Sequence, residues 1–103
     1  MSELPEHYRQ LITDYPAFHE ALEGLGQAAR DAGPLETRVA NLVQLAAAAT
    51  TGSEGAVHSH TRRALEAGAG PGEIRHTILL LTSTIGFPRT SAALSWVEDV
   101  IGQ

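Results

Sequence analysis

Apolar residues recur along the chain at spacings of three and four, the period of one face of an α-helix. Prolines and glycines divide the chain into helix-length segments, and alternation with a period of two is nowhere sustained. Two of the predicted faces consist of Phe18, Leu22, Leu25 and Ala29, and of Leu35, Val39, Leu42, Ala46 and Ala49. The pattern predicts an all-α protein of five or six helices.

The most apolar predicted helix covers residues 73–85. Its main stripe consists of Ile74, Ile78, Leu81 and Ile85, and two further leucines at 79 and 80 widen that stripe around the helix. We therefore expect one continuous helix that is covered by protein on most sides.

Composition indicates one small domain, residues 1–103, with a thin core. Hydrophobic residues make up 43% of the 103 residues, but many of them are alanine and only 5% of the chain is aromatic. The chain has no cysteine, which excludes disulfides, thiolate metal sites and thiol nucleophiles. A thin core without covalent staples favours a homo-oligomer.

The formal charge of −5 argues against nucleic acid and against an anionic membrane surface as partners. All seven basic residues are arginine, in a chain rich in alanine and glycine, and this composition is typical of a GC-rich bacterial genome. The first ten residues are polar and acidic, unlike a signal peptide, and the longest apolar run is far too short to span a bilayer. We therefore expect a cytoplasmic protein.

Two histidines fall close together in the stretch "SEGAVHSH", residues 53–60. His58 and His60 point about 200° apart on a helix, so they do not form the two-histidine metal site that a spacing of three or four allows. His58 shares its face with Glu54 and Arg62, which indicates a solvated ladder of charges. The alternative is that Glu54 orients His58 for a function.

His60 shares its face with the small residues Ser53, Ala56, Ala64 and Ala67. It is either a core histidine that donates to a backbone carbonyl or an acid/base that lines a small pocket. Asn41, beside the apolar stripe of the preceding helix, is either a boundary residue or an amide in the same pocket. Arg63 and Arg89 are candidates for binding an anionic substrate, or are solvated surface residues.

Residues 60–94 resemble the carboxymuconolactone decarboxylase family, which includes the AhpD-like alkylhydroperoxidases. The resemblance rests on order and spacing, and it extends over residues 35–96. The residues that carry it are His60, Ala64, Gly68, Glu73-Ile74, the apolar run 78–81 and Gly86-Phe87-Pro88. It implies a single all-helical, AhpD-like domain that assembles as trimers or hexamers.

The redox branch of this family has a glutamate, a Cys-x-x-Cys pair that begins twelve residues later, and a histidine four residues beyond the pair. Counting back from His60, these positions hold Asn41, Ser53 and Ala56. Serine cannot replace a thiolate in peroxide reduction, so the resemblance implies a member that has lost its redox cysteines. Thiol-dependent peroxidase activity is not expected.

The decarboxylase branch lacks the cysteine pair but keeps the histidine, and it implies a lyase without metal or organic cofactor. In that interpretation His60 is the acid/base for a small carboxylated lactone or keto acid. Arg63 then holds the substrate carboxylate, while Ser53 and Asn41 form hydrogen bonds in the pocket. The alternative is a non-catalytic ligand-binding or structural oligomer.

Overall fold

A computed structural model of the chain describes residues 5–102, and over this range the secondary structure is helical. The seven helical segments, one of them a single turn, are α1 (Glu6–Asp14), α2 (Pro16–Asp31), α3 (Thr37–Thr51), α4 (Glu54–Glu66), α5 (Pro71–Leu79), α6 (Thr82–Ile85) and α7 (Phe87–Ile101). The all-α prediction is confirmed. Contacts divide the described chain into two compact units, residues 5–34 and 35–102.

The first unit contains α1 and α2, and neither helix has a buried residue. Pro16 occupies the first turn of α2, where its missing N–H has no helical partner to lose. The Tyr8 and His19 rings meet edge to face, with centroids 5.7 Å apart, and connect the two helices. The predicted apolar face of α2 remains exposed, with Phe18 57% and Leu25 68% accessible.

The second unit begins with an α3–α4 helical hairpin. Gly52 closes α3 with φ of 73°, a left-handed conformation that favours glycine, and a Cβ at this position would collide with the Arg89 guanidinium. Ser53 then caps α4, because its Oγ accepts a hydrogen bond from the Ala56 N–H at 3.3 Å.

The buried face of α3 differs from the predicted one. Its buried residues are Asn41, Leu45, Ala48 and Ala49. Leu35, which was predicted to lie on the stripe, precedes the helix and is 56% exposed. Apolar residues surround most of α3, so spacing alone does not decide which side packs against α4, and Asn41 lies on the buried face instead of at its edge.

The predicted helix over residues 73–85 is interrupted after Leu79. The Thr82 hydroxyl donates to the Leu79 carbonyl at 2.9 Å, and the Leu81 N–H bonds three residues back to Ile78. The interruption leaves Leu79 and Leu80 52% and 62% exposed, where the sequence predicted a continuous covered helix.

The core of the second unit lies where α3, α4, α5 and α7 meet. Its buried apolar residues are Leu45, Ala48, Ala49, Val57, Ala64, Ala69, Ile74, Ile78, Ala93 and Val97. Only three of them, Leu45, Ile74 and Ile78, are larger than valine, and the alanines let the helices approach closely. All of these residues except Val97 lie within residues 35–96, over which the sequence resembles the family.

Glu73 connects the first turns of two helices. Its Oε1 accepts the Gly70 N–H at 3.0 Å, which caps α5, and its Oε2 accepts from Arg38 of α3 at 2.7 Å. One carboxylate thereby fixes the start of α5 against α3.

A bidentate ion pair joins α5 to α7. The Arg75 guanidinium donates to both carboxylate oxygens of Glu98, at 2.7 and 3.0 Å, and this lowers the pKa of Glu98. A carboxyl with a lower pKa in the folded state stabilises the fold above its unfolded pKa. That contribution is lost as the pH falls through the lowered value.

Over residues 5–102, no helix combines the length and apolarity needed to cross a bilayer.

We expect Thr90→Val to raise the free energy of unfolding by about 1 kcal/mol. Thr90 of α7 is 1% exposed, and among the described residues its Oγ1 has no hydrogen-bond partner. Valine keeps the shape and removes the unsatisfied hydroxyl. Chemical denaturation with urea measures the change.

Thr61→Val is the matched control, since Thr61 is equally buried but donates to the Val57 carbonyl at 2.7 Å. This variant should lose about 1 kcal/mol. A Thr90→Val protein that is less stable than the wild type would contradict the assignment of Thr90 as an unsatisfied group.

Candidate functional site

His60 lies in the middle of α4, two turns beyond the Ser53 cap. Its side chain is half-buried, and its Nδ1 atom is shielded from solvent. Ala64, one turn later, is fully buried, and Ala56, one turn earlier, is half-buried. Small side chains therefore flank an imidazole that is neither fully solvated nor sealed in the core.

Asn41 is 3% exposed on the buried face of α3. Its Nδ2 donates to the Thr37 carbonyl at 3.0 Å, whereas its Oδ1 is buried and has no hydrogen-bond partner among the described residues. An amide oxygen in this condition can accept a hydrogen bond from a ligand. Asn41 is ten residues before Thr51, about 15 Å along the helix axis, so it is remote from the Ser53 turn.

Ser53 is exposed, and its hydroxyl oxygen is engaged in the cap of α4. The oxygen retains a second lone pair and its own proton, so capping leaves it able to bind a ligand. The geometry nevertheless accounts for a serine at this position without any ligand.

The arginines fall into paired and unpaired groups. Arg75 binds Glu98, and Arg38 binds Glu36 and Glu73. Arg63 is half-buried on α4, three residues after His60, and no ion pair or hydrogen bond engages its guanidinium within residues 5–102. Residues three apart are neighbours on a helix surface, so His60 and Arg63 are adjacent.

A groove of about 440 Å³ lies at the Gly52 turn. Its lining consists of Gly52, Ile85, Pro88, Arg89, Ala92 and Trp96. The Arg89 guanidinium donates to the Thr50 carbonyl at 3.3 Å, which satisfies a carbonyl at the end of α3. Asn41, Ser53, His60 and Arg63 are not among the described residues that line this groove, so the structure does not gather the four predicted residues around it.

The environment of His58 differs from the solvent-exposed one that its sequence spacing predicted. Its side chain is only 25% exposed, and its Nε2 lies 3.0 Å from Asp99 Oδ2 on α7 and 3.9 Å from Glu54 Oε2. The i,i+4 relation to Glu54 was visible in the sequence, but Asp99 is 41 residues away and no local spacing indicates it. The predicted i,i+4 pair with Glu54 is therefore present, but this face of α4 is not fully solvated, because Asp99 of α7 also contacts His58.

Comparison with known proteins identifies the family. The family model for carboxymuconolactone decarboxylase matches residues 16–99, which include α2 to α6 and most of α7. The chain belongs to this family. An uncharacterized protein of Methanocaldococcus jannaschii is 32% identical over 87 residues, which cover 84% of this chain and 81% of that relative. No solved structure gives a significant match.

Membership of the carboxymuconolactone decarboxylase family confirms the resemblance carried by residues 60–94. The matched range contains all four predicted site residues, Asn41, Ser53, His60 and Arg63. Their roles in catalysis and binding remain predictions.

We expect Ser53→Ala to lower the free energy of unfolding by about 1 kcal/mol, because the α4 cap is lost. Urea denaturation measures this, and Ser91→Ala is the control at an exposed position inside α7. The control should stay within a few tenths of a kcal/mol of the wild type. A Ser53 variant with the same free energy of unfolding as the wild type would show that the cap does not stabilise the fold.

Proposed function

We propose that the protein is a cofactor-free lyase that decarboxylates a small carboxylated lactone or keto acid, with His60 as the acid/base. The single observation that carries the proposal is the half-buried His60 on α4, with its Nδ1 shielded and small side chains beside it. An imidazole that is partly shielded from bulk water is suited to proton transfer to or from a bound substrate.

The chemistry requires one proton transfer and one anion site. As carbon dioxide leaves, its former bonding electrons remain on the substrate carbon, and a conjugated carbonyl delocalises them. His60 then delivers a proton to that carbon. No electrons are gained or lost overall, so the reaction needs no redox partner.

Arg63 is the proposed site for the substrate carboxylate. It neighbours His60 on α4, it is half-buried, and its guanidinium is not engaged by another described side chain. Guanidinium and carboxylate form charge-assisted, bidentate hydrogen bonds, which would orient the leaving group. The buried Oδ1 of Asn41 is the proposed acceptor for a substrate hydroxyl, whereas the Ser53 hydroxyl, at the far end of α3 from Asn41, would contact only a different part of the substrate.

We expect His60→Gln to lower the rate of decarboxylation by about 10²–10⁴-fold while the protein remains folded. A panel of small lactone acids and keto acids serves as substrates, carbon dioxide release is the readout, and circular dichroism checks the fold. His76→Gln is the matched control, because His76 is exposed on α5. Unchanged turnover in the His60 variant would contradict the acid/base role.

The same assay tests the anion site through two adjacent arginines. Arg63→Gln should raise KM for the substrate, whereas Arg62→Gln should not, although the Arg62 guanidinium is equally unengaged within residues 5–102. Equal effects of the two substitutions would show a general charge effect instead of a specific carboxylate site.

A non-catalytic ligand-binding or structural oligomer is the second candidate. The observation that favours it is the loss of three family positions, where Asn41, Ser53 and Ala56 replace the glutamate and the cysteines. This candidate would replace the lyase if no substrate in the panel turned over and His60→Gln merely lowered the melting temperature.

We further propose that the chain forms a homo-oligomer, a trimer or a hexamer. Large apolar side chains are exposed in both units: Phe18, Leu22 and Leu25 in the first, and Leu79, Leu80 and Phe87 in the second. Burial of each such side chain is worth roughly 1.5–3 kcal/mol, so association of identical chains would gain stability that the small core does not supply.

We expect light scattering on the purified full chain to give three or six times the mass of one chain, 10.9 kDa. Leu80→Glu should shift the population toward the monomer, because it places a charge on the exposed surface after α5. Glu66→Gln, at an exposed polar position of α4, is the control. A wild-type mass of one chain would overturn the oligomer proposal.

A further inference from the structure

Three potential metal ligands converge between α4 and α7. They are Glu54 and His58, one turn apart on α4, and Asp99 near the end of α7. One ligand atom from each residue lies within 4.8 Å of the other two. His60 points about 200° away from His58 around α4, so this cluster is separate from the proposed acid/base.

We propose that Glu54, His58 and Asp99 form a binding site for a divalent transition-metal ion such as Zn²⁺. One imidazole nitrogen and two carboxylate oxygens are a donor set that zinc and its first-row neighbours accept. The site is independent of the proposed lyase chemistry, in which no metal takes part.

The donor atoms of Glu54, His58 and Asp99 are already close to the separations found in a zinc site. Donors of a tetrahedral zinc site, with metal–ligand bonds of about 2.0–2.2 Å, lie roughly 3.3–3.6 Å apart. His58 Nε2 is already 3.0 Å from Asp99 Oδ2 and 3.9 Å from Glu54 Oε2. Both carboxylate side chains are more than half exposed, so rotation about their side-chain bonds can adjust these separations without moving the helices.

The same imidazole nitrogen faces both carboxylates. Nε2 lies within hydrogen-bonding distance of Asp99 Oδ2, at 3.0 Å. An ion at this position would interact with both carboxylates at once, and Nε2 would supply its lone pair. The two carboxylates balance the two positive charges of the ion.

The partial burial of the cluster defines what kind of site it is. His58 is 25% exposed, which limits its rotamers, whereas the carboxylates face solvent and leave coordination positions open to water. With ligands on both α4 and α7, a bound ion would hold the two helices together. It would therefore stabilise the folded chain and have less affinity for the unfolded chain.

Isothermal titration of the untagged full chain with zinc chloride, in a buffer that does not chelate zinc, tests the proposal. We expect saturable binding of one ion per chain, and a rise in melting temperature that excess EDTA reverses. His58→Gln, Asp99→Asn and Glu54→Gln should each weaken binding by at least about tenfold. Circular dichroism of the metal-free variants checks that each one folds.

The control is His76→Gln, which removes an exposed histidine outside the cluster and should leave zinc affinity unchanged. Asp99→Asn keeps the size of the side chain and a carbonyl that can accept from His58, so it separates lost coordination from lost packing. The proposal is overturned if the wild type shows no saturation below about 1 mM zinc. It is also overturned if zinc binds the three variants as tightly as the wild type, which would place the ion on other histidines.

Discussion

The turn at Gly52 is the constraint on which the second unit depends. Gly52 ends α3 at a positive φ, which glycine adopts without strain, and the chain there reverses into α4. The reversal brings the alanine-rich faces of the two helices together, and small side chains permit the close approach that buries Leu45 and Val57 completely. The placement of His60 and of the His58 cluster follows from how α4 lies between α3 and α7.

Much of this fold could be predicted from local spacing. The breakers at Pro16, Gly52 and Gly86 mark helix ends that the structure reproduces, and the Ser53 cap was visible as well. The errors occurred where helices are apolar on more than one side. The face of α3 was assigned wrongly because apolar residues surround it, and the predicted 73–85 helix is interrupted after Leu79, which periodicity does not report.

The candidate site was predictable only in part, for a different reason. His60, Ser53, Asn41 and Arg63 were selected from one helix, its cap and the preceding helix, where sequence distance approximates spatial distance. Their burial was harder to infer: Asn41 lies on the buried face with an unsatisfied oxygen, and Ser53 is exposed with its oxygen engaged. Asp99 could not be connected with His58 from the sequence, because the contact depends on how α7 packs against α4.

The double role of Glu73 has a consequence for how this sequence can diverge. One oxygen of its carboxylate caps α5 and the other holds Arg38 of α3, so a substitution at position 73 alters two helices at once. A shorter or neutral residue there would leave the Gly70 N–H and the Arg38 guanidinium without their acceptor. Drift at positions 38 and 73 is therefore coupled, and substitutions at the two positions should be tolerated together more readily than separately.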